Sequence, residues 1–393
     1  HYPLRRQRQM CIRDRSFRLK GSYNSSFTVY KYMSGGTEMT YNPVLVDEGN
    51  VGLRPVDNSK YTDVSYTSGT GKSRDWYMEA GFNYNRSFGG HTVGGLLLYN
   101  QSKSYYPSTY SDIPKGYVGL VGRITYDWMN RYMAEFNVGY NGSENFAKGK
   151  RYGFFPSGAI GWIVSEEAFM QPLRKVISKL KLRASYGQVG NANLGGRRFA
   201  YLSTITDDYE TLNMYKWGLD SSYGLTGMAE GEFAVQDLTW EIVNKMNLGV
   251  ELGFLNGMID LQLDYFDERR KDIFMPRESV PMTAGFMKQP WKNFGKVTNQ
   301  GVEVSLNVNK QFGKDLFVSL MGTFTYAHNE ITEKDEPSAV VGTNRAETGH
   351  PVGQLTGYIA EGLFTADDFE DVSTGKLKEG IPTQSFVGKL RPG

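Results

Sequence analysis

Two short groups of residues have types and spacings that could bind a phosphate or a cation. The run Gly69-Thr70-Gly71-Lys72-Ser73 resembles the end of a phosphate-binding loop. That motif needs a glycine five positions before Gly71, where Tyr66 stands, and an apolar helix after it, which the sequence lacks. The acidic run at 367–371 has neither the spacing nor the central glycine of an EF-hand loop. An exposed loop and a solvated acidic loop are the favoured interpretations.

Histidines and carboxylates are the residue types that could serve as metal ligands or as general acids and bases. His91, His328 and His350 are far apart and lack a His-x-x-x-His spacing. The carboxylates that could exchange protons with a substrate are Glu135, Glu251, Asp260, Asp264 and Glu303. Each alternates with apolar residues, so we expect them to form the polar face of a sheet. The sequence therefore predicts no catalytic residue, no metal site and no cofactor.

The elements that would position these carboxylates are strands with a strict alternation. Apolar residues occupy every second position from Met246 to Phe254, and again from Ile259 to Tyr265 after the tight-turn signal Leu255-Asn256-Gly257. A period of two sends alternate side chains to opposite faces of a sheet. The pattern recurs at 118–128, 132–140, 302–308 and 316–326, and more briefly at 76–84, 93–99 and 180–186. Repeated segments of about ten alternating residues are typical of a transmembrane β-barrel.

The connections between these segments alternate in length. Short connections lie at 87–90, 129–130, 255–257 and 311–314, with a slightly longer one at 165–179. Long polar connections lie at 34–73, 103–116, 142–153, 189–237, 268–297 and 328–352. A barrel with tight periplasmic turns and large extracellular loops requires this alternation. The predicted fold class is therefore all-β, an antiparallel transmembrane β-barrel represented here by about 13 strands.

Aromatic residues mark both ends of the predicted strands. Strands that follow a short turn end in a tyrosine on the apolar face: Tyr99, Tyr140, Tyr186, Tyr265 and Tyr326. At the opposite rim lie Tyr126, Trp128, Tyr132 and Phe254. Amphipathic rings fit the headgroup level, so these nine residues are the predicted membrane girdle. The alternative is the ordinary preference of aromatic residues for strands.

Composition narrows the class of protein. The net charge of +2 gives no general electrostatic argument for nucleic acid, and the single cysteine, Cys11, excludes a disulfide framework. No apolar run approaches the roughly 18 residues of a transmembrane helix. Residues 1–15 are Arg-rich and lack alternation, so we expect a non-native or disordered segment there, with a basic flexible arm as the alternative. Residues 16–393 are the predicted partial barrel.

Several motifs occur in an order and spacing typical of one family. They are Tyr140, Gly142, Ser143 and Phe146, then Phe155-Pro156-Ser157 with Gly161-Trp162, then Ser185-Tyr186-Gly187 with Gly190-Asn191. In these motifs the chain resembles the SusC/RagA family, TonB-linked outer-membrane transporters. The resemblance covers about residues 70–360.

The resemblance implies a barrel of about 22 strands with an N-terminal plug that is absent here. It also implies location in the cell outer membrane, contact with its lipid, energy from the TonB complex through the missing plug region, and a SusD-type surface lipoprotein partner. The imported nutrient would be an oligosaccharide or a peptide. Weak candidates for substrate contact are the aromatic residues of the long connection 189–237, namely Tyr201, Tyr209, Tyr215, Trp217 and Tyr223.

Two other functions remain open from the sequence. A passive porin-like channel would have the same strands but no plug in the complete gene. A secreted β-sandwich that binds or cleaves glycans would pack one strand face against a second sheet.

Overall fold

The computed structural model describes residues 6–12, 14–36, 38–47, 49–56, 62–108, 110, 112–206, 215–217, 223–225, 228–286, 288–357, 359–360, 362–382 and 388–392. In this part of the chain nearly all regular structure is β-strand. The few helices are short 3-10 helices at Val164–Glu166, Ala168–Leu173, Met282–Ala284 and Ala366–Asp368. None of the described helices has the length and apolar character needed to cross a membrane.

The strands are named in chain order. They are β1 (Arg6–Ile12), β2 (Arg15–Ser34), β3 (Tyr41–Asp47), β4 (Asn50–Pro55), β5 (Ser65–Phe88), β6 (His91–Tyr105), β7 (Lys115–Trp128), β8 (Tyr132–Ser143), β9 (Tyr152–Ile163), β10 (Ile177–Asn191), β11 (Ile205–Thr206), β12 (Tyr215–Trp217), β13 (Tyr223–Leu225), β14 (Ala229–Glu230), β15 (Glu241–Phe254), β16 (Ile259–Pro276), β17 (Trp291–Phe312), β18 (Leu316–Glu333), β19 (Phe369–Asp371) and β20 (Lys376–Leu377).

One antiparallel sheet of 12 strands dominates the described chain. Its order is β1-β2-β5-β6-β7-β8-β9-β10-β15-β16-β17-β18. The remaining strands form two-stranded ribbons, three inside long connections and one, β19–β20, in the segment after β18. Strands adjacent in the sheet follow one another along the chain, as in an up-and-down barrel wall. The sheet is open, with β1 and β18 at its edges. The predicted fold class is confirmed as all-β and antiparallel, with 12 strands in the main sheet rather than about 13.

Several strands extend further than the sequence pattern indicated. β5 begins at Ser65, β16 runs to Pro276 and β18 runs to Glu333, so the long connections are shorter than predicted. The run Gly69–Ser73, predicted as an exposed loop, lies inside β5 and pairs with β2. Beyond the bilayer the hydrogen-bond ladder can continue while the alternation of apolar side chains ends. The alternation of apolar side chains therefore indicates the part of a strand that crosses the membrane more accurately than it indicates where the strand begins and ends.

The register places the predicted apolar positions on one face. Leu182, Val250, Leu263, Val304 and Phe324 lie directly opposite one another across five neighbouring strands. We call this side the outward face and the opposite side the inward face. The outward face exposes large apolar side chains, with Ile160 67% exposed. In the described chain no second sheet packs on this face, whereas the β-sandwich alternative predicted one.

The first residues of the described chain also pair with the sheet. Arg6–Ile12 forms β1 and runs antiparallel to Arg15–Gly21 of β2. The division into a non-native segment 1–15 and a barrel 16–393 stays a prediction.

Candidate functional site

The inward face carries an ion pair that bridges three strands. Arg183 of β10 donates to both carboxylate oxygens of Asp264 on β16, at 2.6 and 2.7 Å. Between them lies Gly249 of β15, in register with both residues. A Cβ added at Gly249 would lie 2.5 Å from Arg183 Nε and 2.7 Å from Asp264 Oδ1. The glycine therefore leaves the space through which the pair meets, and Gln262 completes the set by donating to Asp264 at 2.8 Å.

A second group of charges lies on the same face towards the short turns. Glu251 of β15 is 2.7 Å from Lys179 Nζ, 3.7 Å from Lys181 Nζ and 3.5 Å from Arg183 Nε. Three cations thus surround one carboxylate. Because Arg183 contacts both Glu251 and Asp264, the charges form one network. Glu251 and Asp264, two of the predicted polar-face carboxylates, are therefore ion-paired, and these pairs fix their orientation.

Aromatic rings at the short-turn end of the outward face stack in sequence across five strands. Phe88 lies 5.7 Å from His91, His91 lies 6.2 Å from Trp128, and Trp128 lies 5.5 Å from Tyr132. The row ends with Tyr132 and Trp162 at 6.3 Å, with ring planes 10° apart. We call these five rings the ring row.

A carboxylate fixes one end of the ring row. Glu167 accepts hydrogen bonds from Tyr132 Oη at 2.6 Å and from Trp162 Nε1 at 3.1 Å. These two hydrogen bonds hold the pKa of the Glu167 carboxyl below its usual range. Polar tips of amphipathic rings are thereby anchored where a membrane interface is expected.

The register places all nine predicted girdle residues on the outward face. They are Tyr99, Tyr126, Trp128, Tyr132, Tyr140, Tyr186, Phe254, Tyr265 and Tyr326. Eight of them are exposed, and Phe254 is half-buried. Their contact with lipid headgroups stays a prediction. The sequence did not indicate that His91, Phe88 and Trp162 join Trp128 and Tyr132 in one row, because the register across strands decides this.

The long-loop end of the sheet contains a small hydrophobic core, which we call the loop-base core. Its buried residues are Phe146, Phe155, Leu194, Val235, Leu238 and Trp240. Trp240 stacks on Phe146 at 5.0 Å and meets the Phe155 ring edge-on at 5.3 Å. A Cβ on Gly190 would overlap the Phe155 ring at 1.9 Å. Motif residues predicted only as family markers therefore pack against one another.

A buried arginine ties three long connections together beside this core. Arg198, with a side chain 5% exposed, donates to the carbonyl oxygens of Ile113 at 2.8 Å and Pro114 at 3.2 Å. It also donates to Glu144 Oε1 at 2.7 Å, while Glu144 Oε2 accepts the backbone N–H of Gly116 at 2.6 Å. The guanidinium has five donors in a rigid fork, which suits several acceptors at once. Nothing in the sequence pattern predicted this role for Arg198.

A cavity of about 580 Å³ opens next to Arg198. Its wall includes Arg197, whose guanidinium lies 4.0 Å from the centre of the Trp291 ring and which pairs with Glu232. Glu232 also lies 3.4 Å from Lys288 Nζ. Aromatic and charged groups therefore share this wall, which would suit a ligand with both apolar and polar surfaces.

The predicted substrate-contact residues fall into two groups. Tyr201 packs against the loop-base core and meets Phe199 edge-on at 6.3 Å. Tyr209 lies outside the described residues. Only the backbones of Tyr215, Trp217 and Tyr223 are described, in the β12–β13 ribbon. Substrate contact by these five residues stays a prediction.

Acidic residues of the run 367–371, which could have bound a cation, form hydrogen bonds with neighbouring residues instead. Asp368 accepts the backbone N–H and the hydroxyl of Thr365, at 2.6 and 2.8 Å, and thereby caps a 3-10 turn. Both hydrogen bonds hold the pKa of Asp368 below its usual range. Asp371 accepts from the backbone N–H and hydroxyl of Ser373. In the described part of the chain no cluster of His, Cys, Asp and Glu could hold a metal ion.

A buried carboxylate joins two other long connections, and we call this contact the Asp335 latch. Asp335, which follows β18, accepts from Arg277 Nε at 2.8 Å, and from Ser279 Oγ at 2.8 Å and Ser279 N at 3.2 Å. Burial by itself raises the pKa of Asp335, but the hydrogen bonds from Arg277 and Ser279 outweigh it and hold the pKa below its usual range. The connection after β16 is thus fixed to the segment that follows β18.

The geometry defines the class of protein. An antiparallel sheet with one exposed apolar face, one ion-paired polar face, short turns at one end and structured loops at the other is part of a transmembrane β-barrel wall. The family described as TonB dependent receptor-like, beta-barrel matches residues 6–375. The chain belongs to this family, and its place is the outer membrane.

Known relatives confirm the resemblance seen in the motifs. The TonB-dependent receptor SusC of Bacteroides thetaiotaomicron is 35% identical over 219 residues, which cover 55% of this chain and 21% of that protein. TonB-dependent receptor P39 of Formosa agariphila is 26% identical over 360 residues, covering 84% of this chain and 32% of that protein. The chain spans between 18% and 32% of the length of the curated relatives it matches.

A solved structure shares the fold. The RagAB peptide importer in its "closed-closed" state superposes with a TM-score of 0.65 at 16% identity, over 87% of this chain and 38% of that chain. At this identity the match shows the fold alone. The family match, the similarity to SusC and this shared fold together support the SusC/RagA resemblance of the motifs.

Proposed function

We propose that the complete protein imports an oligosaccharide or a peptide across the outer membrane, with energy from the TonB complex and with a SusD-type lipoprotein as partner. The observation that carries the proposal is membership of the TonB dependent receptor-like β-barrel family over residues 6–375. The similarity to SusC and the fold shared with a peptide importer support it.

The arrangement of the loops is compatible with substrate contact at the long-loop end. The cavity beside Arg198 combines the Trp291 ring with the charges of Arg197 and Glu232. Such a surface offers an aromatic face and several hydrogen-bonding groups to a flexible polar ligand. We propose this cavity, rather than the inward carboxylates, as the first place to look for nutrient contact.

Uptake by cells tests the proposal. The complete gene is expressed in a strain that lacks the chromosomal copy, and uptake of labelled oligosaccharides and peptides is measured with and without a functional TonB. We expect uptake that is lost with TonB. Uptake that continues without TonB would favour the passive channel instead.

The partner is tested separately. Affinity purification of the complete protein from outer membranes should recover a surface lipoprotein in a defined ratio. Recovery of the protein without any lipoprotein, under conditions where uptake is active, would contradict the partner and leave the transport reaction in place.

A further inference from the structure

Four cations share one surface at the long-loop end of β2, β5 and β6. Lys31 lies on β2, Lys72 and Arg74 on β5, and Lys103 on β6. The register pairs these strands without a bulge, so alternation alone decides which face each side chain takes. All four belong to the outward face, the face that exposes apolar side chains further down the same strands. We call them the outward basic patch.

The patch lies beyond the level of the membrane girdle. Lys103 follows the girdle residue Tyr99 by four residues on β6, a distance of roughly 13 Å along the strand. Arg74 is paired with Tyr105, two residues further. Lys72 lies further along β5, and Lys31, which pairs with Ser68, lies roughly 40 Å beyond Tyr99 along the strands. The outward face over this span is past the apolar band, and we expect it to meet lipid headgroups at Lys103 and Arg74 and the sugars above them at Lys72 and Lys31.

Nothing described on this face neutralises the four charges. Every outward position of β2, β5 and β6 is apolar, polar or basic, and none is acidic. No member of the patch forms an ion pair with a described residue, whereas outward Arg269 on β16 pairs with Asp267 at 2.9 Å. Within the described chain the buried Arg74 Nε has no hydrogen-bond partner.

Tyrosine rings contact three of the four cations, Lys72, Arg74 and Lys103, without cancelling their charge. Lys72 Nζ lies 4.3 Å from the centre of the Tyr106 ring, and Arg74 lies 4.3 Å from that of Tyr105. Lys103 Nζ lies 5.2 Å from the same Tyr105 ring. A cation above a ring keeps its full charge and can still donate hydrogen bonds to an anion.

We propose that the outward basic patch binds the phosphate groups of a phosphorylated glycolipid in the outer leaflet. Position and charge together select this ligand. A soluble nutrient passes on the inward side, whereas this patch begins just above the apolar band on the lipid side and continues outward from it. Basic side chains at such a level attract anionic headgroups. The proposal rests on the outer-membrane location with the long loops outside, and not on the identity of the nutrient.

Binding of fluorescent lipid A to the complete, detergent-solubilised protein tests the proposal. The variant Lys72→Gln/Arg74→Gln/Lys103→Gln should bind at least about tenfold more weakly, since each basic residue near an anionic lipid surface contributes roughly fivefold. The matched control is Lys175→Gln/Lys310→Gln/Lys314→Gln, which removes the same charge at the short-turn end. It should keep the affinity of the wild type.

A second measurement uses the wild-type protein and does not depend on the folding of a variant: dephosphorylated lipid A should bind it much more weakly than lipid A does.

A third measurement uses the charge-conserving variant Lys72→Arg/Arg74→Lys/Lys103→Arg, which should bind lipid A with the affinity of the wild type. Equal binding of both lipids, or equal loss in the control variant, would overturn the proposal. Displacement of lipid A by inorganic phosphate at similar concentration would reassign the patch to free phosphate. TonB-dependent uptake is scored independently, so failure of one proposal leaves the other standing.

Discussion

At the short-turn end, rings from neighbouring strands stack one after another, and each contact joins residues that the register places side by side. At the long-loop end, Phe146 comes from the connection between β8 and β9, and Leu194 and Trp240 come from the connection between β10 and β15. Together they form a core that excludes solvent without help from lipid. The first end depends on its bilayer, because its rings remain exposed. The long-loop end is stabilised by its own buried core. A barrel wall can therefore keep its loops ordered in water while its strands rely on the membrane.

The largest expected effect comes from removing a buried aromatic ring from the loop-base core. Phe146 is fully buried, so Phe146→Ala should destabilise the long-loop end by about 3–5 kcal/mol through lost burial and a cavity. Phe154→Ala, at an exposed outward position of β9, is the control and should cost much less. Limited proteolysis of the complete protein in vesicles measures the difference at the loops. Equal protection in both variants would contradict an independent core.

A charge on the outward face tests dependence on the bilayer. Leu261→Arg should cost about 2–4 kcal/mol near the membrane midplane, because an arginine on the lipid side loses its hydration. Gln262→Arg, on the inward face of the same strand, should cost much less. Folding into lipid vesicles from urea gives both free energies. Similar costs at the two positions would show that the assignment of faces is wrong.

A smaller effect is expected where an inward ion pair crosses a glycine. Gly249→Ala would place a methyl group between Arg183 and Asp264 and should cost about 1–3 kcal/mol. The control is Gly322→Ala on β18, where an added Cβ meets no atom within 4 Å. Denaturant unfolding in vesicles compares the two. A neutral Gly249→Ala would mean that the pair has room to shift.

The Asp335 latch should respond to pH in one direction. The folded pKa of Asp335 is depressed, so its stabilisation is fully present above the unfolded pKa of about 3.9 and is lost as pH falls through the lower, folded value. The protection of the Ser279 amide from hydrogen exchange, relative to its intrinsic exchange rate at each pH, should therefore stay high at neutral and mildly acidic pH and fall only in strong acid.

A substitution separates the charge of the latch from its shape. Asp335→Asn should loosen the same amide at every pH, at a cost of about 1–3 kcal/mol. Exchange that is as slow in Asp335→Asn as in the wild type would show that the charge contributes nothing to the latch.

The sequence by itself determined the alternation, and with it the strands, the two faces, the short turns and the face on which the predicted girdle tyrosines lie. These are local properties, because a pleated strand sends successive side chains to opposite sides regardless of what surrounds it. The family motifs were equally visible, although their packing role was not.

Only the tertiary structure decided which distant residues meet. The approach of Arg183 to Asp264 over Gly249 depends on the register of three strands, and the contacts of Arg198 and Asp335 depend on the path of long connections. Such contacts have no period along the chain, since loop closure brings together residues of any separation. The same reason explains why the outward basic patch, spread over three strands, becomes one surface only in the folded sheet.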